Sequence, residues 1–115
     1  MFFDQTVTIA NAGTTTAVVD CGLISNHSET QLVGISFPAA MTGTAMTFTA
    51  GSTAAGTFTA LREVGGASAY SITITASARV PLDPRVFACC PFIRCVSGSS
   101  EGADRTLTLH FREVS

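Results

Sequence analysis

Along most of the chain, polar and apolar residues alternate with a period of two, the mark of strands with one face buried. Gln5 to Ala10 places Val7 and Ile9 on one face, and Asn11-Ala12-Gly13 follows as a turn. Thr16 to Asp20 is a shorter second strand, and Cys21-Gly22 leads into Leu23 to Thr30, where Ser25 to Ser28 is polar and turn-like. Gln31 to Phe37 spaces Leu32, Ile35 and Phe37 unevenly around Gly34, which predicts a bulge or a close backbone approach there. Ala45 to Ala50 points Met46 and Phe48 one way, Gly51 to Gly56 is a loop of small residues, and Thr57 to Glu63 returns as the hairpin partner. After the Gly65-Gly66 turn, Tyr70 to Thr75 puts Tyr70, Ile72 and Ile74 on one face. Ala78 to Pro81 is a short extended piece, Phe92 to Ser97 is a strand, and Gly98 to Asp104 is a polar loop. In Arg105 to Val114, Thr106, Thr108 and His110 alternate against Leu107, Leu109 and Phe111.

About eight strands separated by turn signals predict an all-β fold, an antiparallel β-sandwich or jelly roll, and the whole chain 1–115 reads as a single domain. The organising corner of the fold lies between Arg79 and Ser99. Asp83 followed by Pro84 is a helix-start signal, because a carboxylate accepts first-turn N–H groups and proline at the first helical position needs no donor. The corner therefore predicts one helical turn over Leu82 to Ala88, between a strand ending near Val80 and one beginning near Phe92, with Phe87 turned down as a plug. Asp83, Pro84 and Phe87 are its structural residues. Ahead of the first strand, residues 1–4 read as a short N-terminal arm. Its Phe2 and Phe3 either fold back onto the core or dock into a neighbour, and docking in an assembly is the preferred reading.

Composition sharpens this picture in one respect. The 115 residues include six arginines and no lysine, and charged residues make up 12%, about half the roughly 25% usual for soluble domains. Mean hydropathy is +0.41. Strand edges are ordinarily blunted by charges, lysine above all. A Thr-rich, Ala-rich sandwich without them is expected to be covered by partners in an assembly.

The net charge of −2 and the scattered arginines provide no basic stripe, so nucleic acid is not an expected ligand. No apolar run approaches the about 20 residues that cross a bilayer, so no membrane partner is expected. The start lacks the basic and apolar regions of a signal peptide, so synthesis in a cytoplasm is expected, where cysteines stay reduced.

Candidate chemistry is thin. Cys89, Cys90 and Cys95 with Cys21, His27 or His110 make a nominal ligand set, but only Cys90 and Cys95 come near a knuckle spacing, and adjacent Cys89 and Cys90 face opposite ways on an extended chain. The preferred reading of the cysteines is small buried hydrophobes. Any nucleophilic site would draw on a serine or cysteine with His27 or His110. His27 reads as a solvated loop residue, and His110, on the strand face of Thr106 and Thr108, as an exposed or interface histidine. The acids are dispersed, with no paired-carboxylate, phosphate-cradle or nucleotide motif, so no enzyme and no cofactor are expected. With no Trp and one Tyr turned towards Ile72 and Ile74, sugar binding is not favoured.

Several of these segments together carry a family likeness. The hairpin Met46-Thr47-Phe48-Thr49 and Gly56-Thr57-Phe58, the corner Leu82-Asp83-Pro84 with Phe87, Phe92-Ile93-Arg94, Ser97-Gly98 and the closing Ala103-Asp104-Arg105-Thr106-Leu107-Thr108-Leu109 resemble small structural proteins from the virion gene clusters of tailed bacteriophages. The likeness spans roughly Leu32 to the C-terminus. It differs at Thr53-Ala54-Ala55, where that pattern favours Asp-Gly, and at Cys89-Cys90. The resemblance implies a jelly-roll cement or decoration subunit on the capsid surface of a virion. Such a subunit contacts the major capsid protein and itself, as a dimer or trimer, with Phe2, Phe3 and His110 as interface residues. The alternative is a tail, fibre or baseplate β module that recognises a host surface.

Overall fold

Strand-forming alternation yields nine strands and one helical turn among the residues that the structure, a computed structural model, describes: 2–21, 29–66, 68–87 and 92–114. The strands are β1 (Phe2–Ile9), β2 (Val19–Asp20), β3 (Glu29–Ser36), β4 (Ala45–Gly51), β5 (Thr59–Ala60), β6 (Ser71–Thr73), β7 (Arg79–Pro81), β8 (Phe92–Ser97) and β9 (Arg105–Val114), with α1 (Pro84–Phe87) between β7 and β8. The first sheet has the order β1-β9-β3-β7, and the second runs β2-β8-β4-β5, with β6 also on β4. All pairings are antiparallel. β5 pairs with Thr49 and Ala50, and β6 with Ala45 to Thr47, so the two together line a single edge of β4. Taken as one strand, they complete a concentric scheme: first with last, second with next to last, and inward to β4 with β5 and β6. This is the jelly roll, one of the sandwich alternatives that the strand count allowed.

The core lies between the sheets. From the first sheet come Val7, Ile9, Leu32, Ile35, Leu107, Leu109 and Phe111, and from the second Val19, Met46, Phe48, Ile93 and Cys95. The thiols of Cys21 and Cys95 are buried there, and burial pushes each up to about 12. Cys89, Cys90 and His27 lie outside the described residues.

The uneven spacing around Gly34 has a geometric origin. The β3–β9 register shifts between Leu32 and Gly34, leaving Val33 as the extra residue of a bulge. Leu32 and Ile35 are three apart and would face opposite ways on a regular strand, and the inserted residue returns both to the core.

At the corner, the Asp83 carboxylate accepts the Arg85 N–H at 3.0 Å and forms an ion pair with the same residue's guanidinium. Phe87 is buried and meets Phe48 edge to face at 5.0 Å and Tyr70 at 5.6 Å. The Asp83 N–H donates to the Tyr70 hydroxyl at 3.0 Å, tying the corner to the edge of the second sheet.

Three expectations change. Residues 2–4 are not an arm but the start of β1: Phe2 pairs with Arg112 and Phe3 with Phe111, because the alternation of Val7 and Ile9 continues back through Gln5 to a half-buried Phe3 that packs on the core. The expected strand over Thr16 to Asp20 shortens to Val19–Asp20, with Thr15 and Thr16 making single bridges to Val96 and Ile9. The strand expected over Thr57 to Glu63 leaves the sheet after Leu61, whose N–H donates to the Phe48 carbonyl, and Arg62 and Glu63 pair with Ala69 and Ser68 beyond a turn at Gly65-Gly66.

Glu101, a dispersed loop acid by sequence, is fully buried. Its Oε1 accepts the Thr42 N–H at 2.8 Å and the Arg105 Nε–H at 3.0 Å. Its Oε2 accepts the Gly43 N–H and the Ser97 hydroxyl, both at 2.9 Å. Its backbone bonds Ala12 and Gly13. An added Cβ at Gly43 would collide with Ser97 Oγ, so only glycine lets the backbone come this close. Burial favours the neutral acid, but these four donors outweigh it and hold the carboxyl down at about 2.

Two outcomes are expected in urea unfolding. Phe87→Ala should cost about 3 to 5 kcal/mol, as an aromatic removed from a packed core does. Glu101→Gln should cost about 3 kcal/mol at pH 7, because it turns an amide donor towards N–H and O–H groups and leaves Arg105 without its anion. The folded carboxyl titrates at about 2, below its ordinary value of 4.5. Its contribution is therefore complete above pH 4.5, and the gap between the two proteins should close as pH falls from there towards 2.

Candidate functional site

The outer face of the first sheet carries the most concentrated chemistry among the described residues. Strand pairing sets its rows. Asp4 on β1 lies opposite His110 on β9, which lies opposite Gly34 on β3, which lies opposite Pro81 on β7. The next row is Thr6, Thr108, Ser36 and Arg79. β3 presents glycine in the first row, against the imidazole of His110. A Cβ built on Gly34 would sit 3.6 Å from His110 Cδ2, in ordinary contact.

Both ring nitrogens are engaged. His110 Nδ1 is 2.7 Å from Asp4 Oδ1, and Nε2 is 2.6 Å from Ser36 Oγ. His110 is 8% exposed, which removes the exposed alternative of the expected exposed or interface histidine: Asp4, Ser36 and the Gly34 backbone lie against the ring. A groove of about 290 Å³ opens beside it, lined by Phe2, Val33, Gly34, Arg79, Pro81 and His110. Phe2, 72% exposed, forms one wall. Of the three residues expected to share an interface, the structure thus brings Phe2 and His110 to one groove. Phe3, one residue on along the strand, turns to the core side.

On one side of these rows the face carries Phe2, Arg112 and Gln31, and on the other it is hydroxylic. Thr8 and Thr106 Oγ1 atoms are 3.3 Å apart. Asp4, Ser36 and Arg79 were not distinguishable as site residues from the sequence, since joining them to His110 requires the first-to-last strand pairing and the bulge that sets the parity of Ser36. The signal available beforehand was the placement of His110 on the threonine face.

A second groove of about 240 Å³ lies at the corner, lined by Glu63, Val64, Tyr70, Asp83, Arg85 and Val86. Its cation is already paired with Asp83. On the outer face of the second sheet, the Arg94 guanidinium lies 4.7 Å over the Phe58 ring. Of the nominal ligand set, Cys21 and Cys95 are buried in the core and His110 belongs to the first sheet's outer face, while Cys89, Cys90 and His27 lie outside the described residues. Among the described residues, no three His, Cys, Asp or Glu side chains gather as a metal site. No helix there is long and apolar enough to cross a membrane.

No protein-family model matches the chain, and no curated protein matches it.

Proposed function

We propose that this chain is a capsid cement or decoration protein of a tailed bacteriophage, bound to the outside of the head and strengthening contacts between major capsid proteins. The observation that carries the reading is the edge of the first sheet. β1 is eight residues long, and along Phe2 to Thr8 its outer edge has no strand partner among the described residues. It contains no lysine, and its single acid, Asp4, is engaged by His110. A long edge with so little charge is a template for pairing with another chain, and Phe2 adds an exposed aromatic beside it. The jelly-roll topology and the resemblance of the corner and closing strand to phage virion proteins agree with this reading, the fold by analogy alone.

The mechanism is mass action. Subunits that bind only the assembled lattice stabilise it by their binding free energy, and self-association as a dimer or trimer multiplies weak contacts into avidity. No chemistry is required.

Purified chain added to heads of its phage should bind at saturable sites seen by electron microscopy and raise the temperature at which the heads rupture. Phe2→Ser removes an exposed side chain and should leave folding intact. If Phe2 is buried on docking, the substitution should weaken binding about 10-fold to 100-fold. A chain that locates to the tail, or that stays monomeric and ignores heads, overturns the reading.

A further inference from the structure

We propose that Ser36, His110 and Asp4 form a nucleophile, base and orienting acid for acyl transfer, with small esters of short apolar acids as substrates. The hydrogen-bond roles follow from the groups themselves. An ionised Asp4 only accepts, so a neutral His110 carries its proton on Nδ1 and donates it to Oδ1 across 2.7 Å. Nε2 is then left with a lone pair, and the only group at 2.6 Å from it is the Ser36 hydroxyl, which must donate. This is the arrangement in which a histidine removes a serine's proton, and such a constellation is recognised by geometry and roles and not by fold.

Three further observations fit. The imidazole is nearly closed off from solvent, with a side chain 10% exposed, so it is held in one orientation. A groove of about 290 Å³ borders His110, and its walls of Phe2, Val33 and Pro81 suit a short apolar acyl group. Arg79, directly opposite Ser36 in the β3–β7 register, lines the same groove and supplies the positive charge for an oxyanion. Asp4 is 62% exposed, so it orients the ring less firmly than a buried acid would, and turnover is expected to be slow.

The step balances with water as co-reactant. Ser36 Oγ attacks the ester carbonyl carbon while its proton passes to His110 Nε2, and the C=O electron pair moves onto oxygen beside Arg79. Collapse of this intermediate breaks the ester C–O bond, and the leaving alkoxide takes the proton from Nε2. Water, deprotonated by the same nitrogen, then cleaves the acyl-serine, releasing the acid and restoring Ser36. All these groups come from one subunit, so the proposal does not depend on the capsid reading.

The test uses the full chain with a fluorophosphonate probe and with p-nitrophenyl butyrate at pH 8. A single phosphonyl adduct on Ser36 is expected, together with ester hydrolysis that Ser36→Ala abolishes. His110→Gln should slow labelling at least 100-fold. Asp4, a positioning residue, should show a loss of about 10-fold as Asp4→Asn and partial recovery as Asp4→Glu, which a merely structural role would not produce. Ser36→Ala removes one hydroxyl from a strand's outer face, and its circular dichroism should match the parent's. No adduct after hours, adducts spread over several serines, or hydrolysis equal in Ser36→Ala overturns the proposal.

Discussion

One buried carboxylate holds an end of this sandwich together. Glu101 takes hydrogen bonds from the β3–β4 loop at Thr42 and Gly43, from the last residue of β8 at Ser97 and from the first residue of β9 at Arg105, while its backbone joins the turn after β1. Without it, the N–H groups of Thr42 and Gly43, the Ser97 hydroxyl and the Arg105 guanidinium would lose the acceptor they share. It fixes where β9 begins, and with that the level at which every residue of β9 meets β1 and β3. The meeting of His110 with Asp4 and Ser36 five residues further on is set by this starting point.

Much of the architecture was legible because alternation is a direct readout of burial. β4, β8 and β9 run close to where Met46 and Phe48, the Phe92 to Ser97 stretch, and Leu107, Leu109 and Phe111 put them. The helical turn after Asp83 follows from one capping acid and one proline, and the break at Gly34 announced the bulge. What stayed hidden has a common cause: it depends on contacts between residues far apart in sequence. Glu101 looks like any loop acid until Thr42, Gly43 and Ser97 surround it. Phe2 and Phe3 look like a loose arm until β9 offers them a partner. Asp4, Ser36 and His110 span more than a hundred positions and become neighbours only when the first strand pairs with the last.

Two parts of one sheet serve the two proposed roles. Its edge, β1, is sparsely charged and unpartnered along Phe2 to Thr8 among the described residues, and this suits contact with another chain. Its outer surface, one strand further in, holds an imidazole between a carboxylate and a hydroxyl beside a groove. Phe2 belongs to both. A partner that pairs with the edge and covers Phe2 would narrow the groove beside His110.

The placement of β9 also governs how the molecule comes into being. This strand is the last of the fold to be synthesised, yet it sits in the middle of its sheet, between β1 and β3. Until it leaves the ribosome, β1 has no ladder to join and β3 has only its short pairing with β7, and the nascent chain carries threonine-rich segments with few charges to keep them apart. Closure of such distant pairings is slow. A chain stalled before β9 is made would leave β1 without its partner strand and would be prone to aggregate.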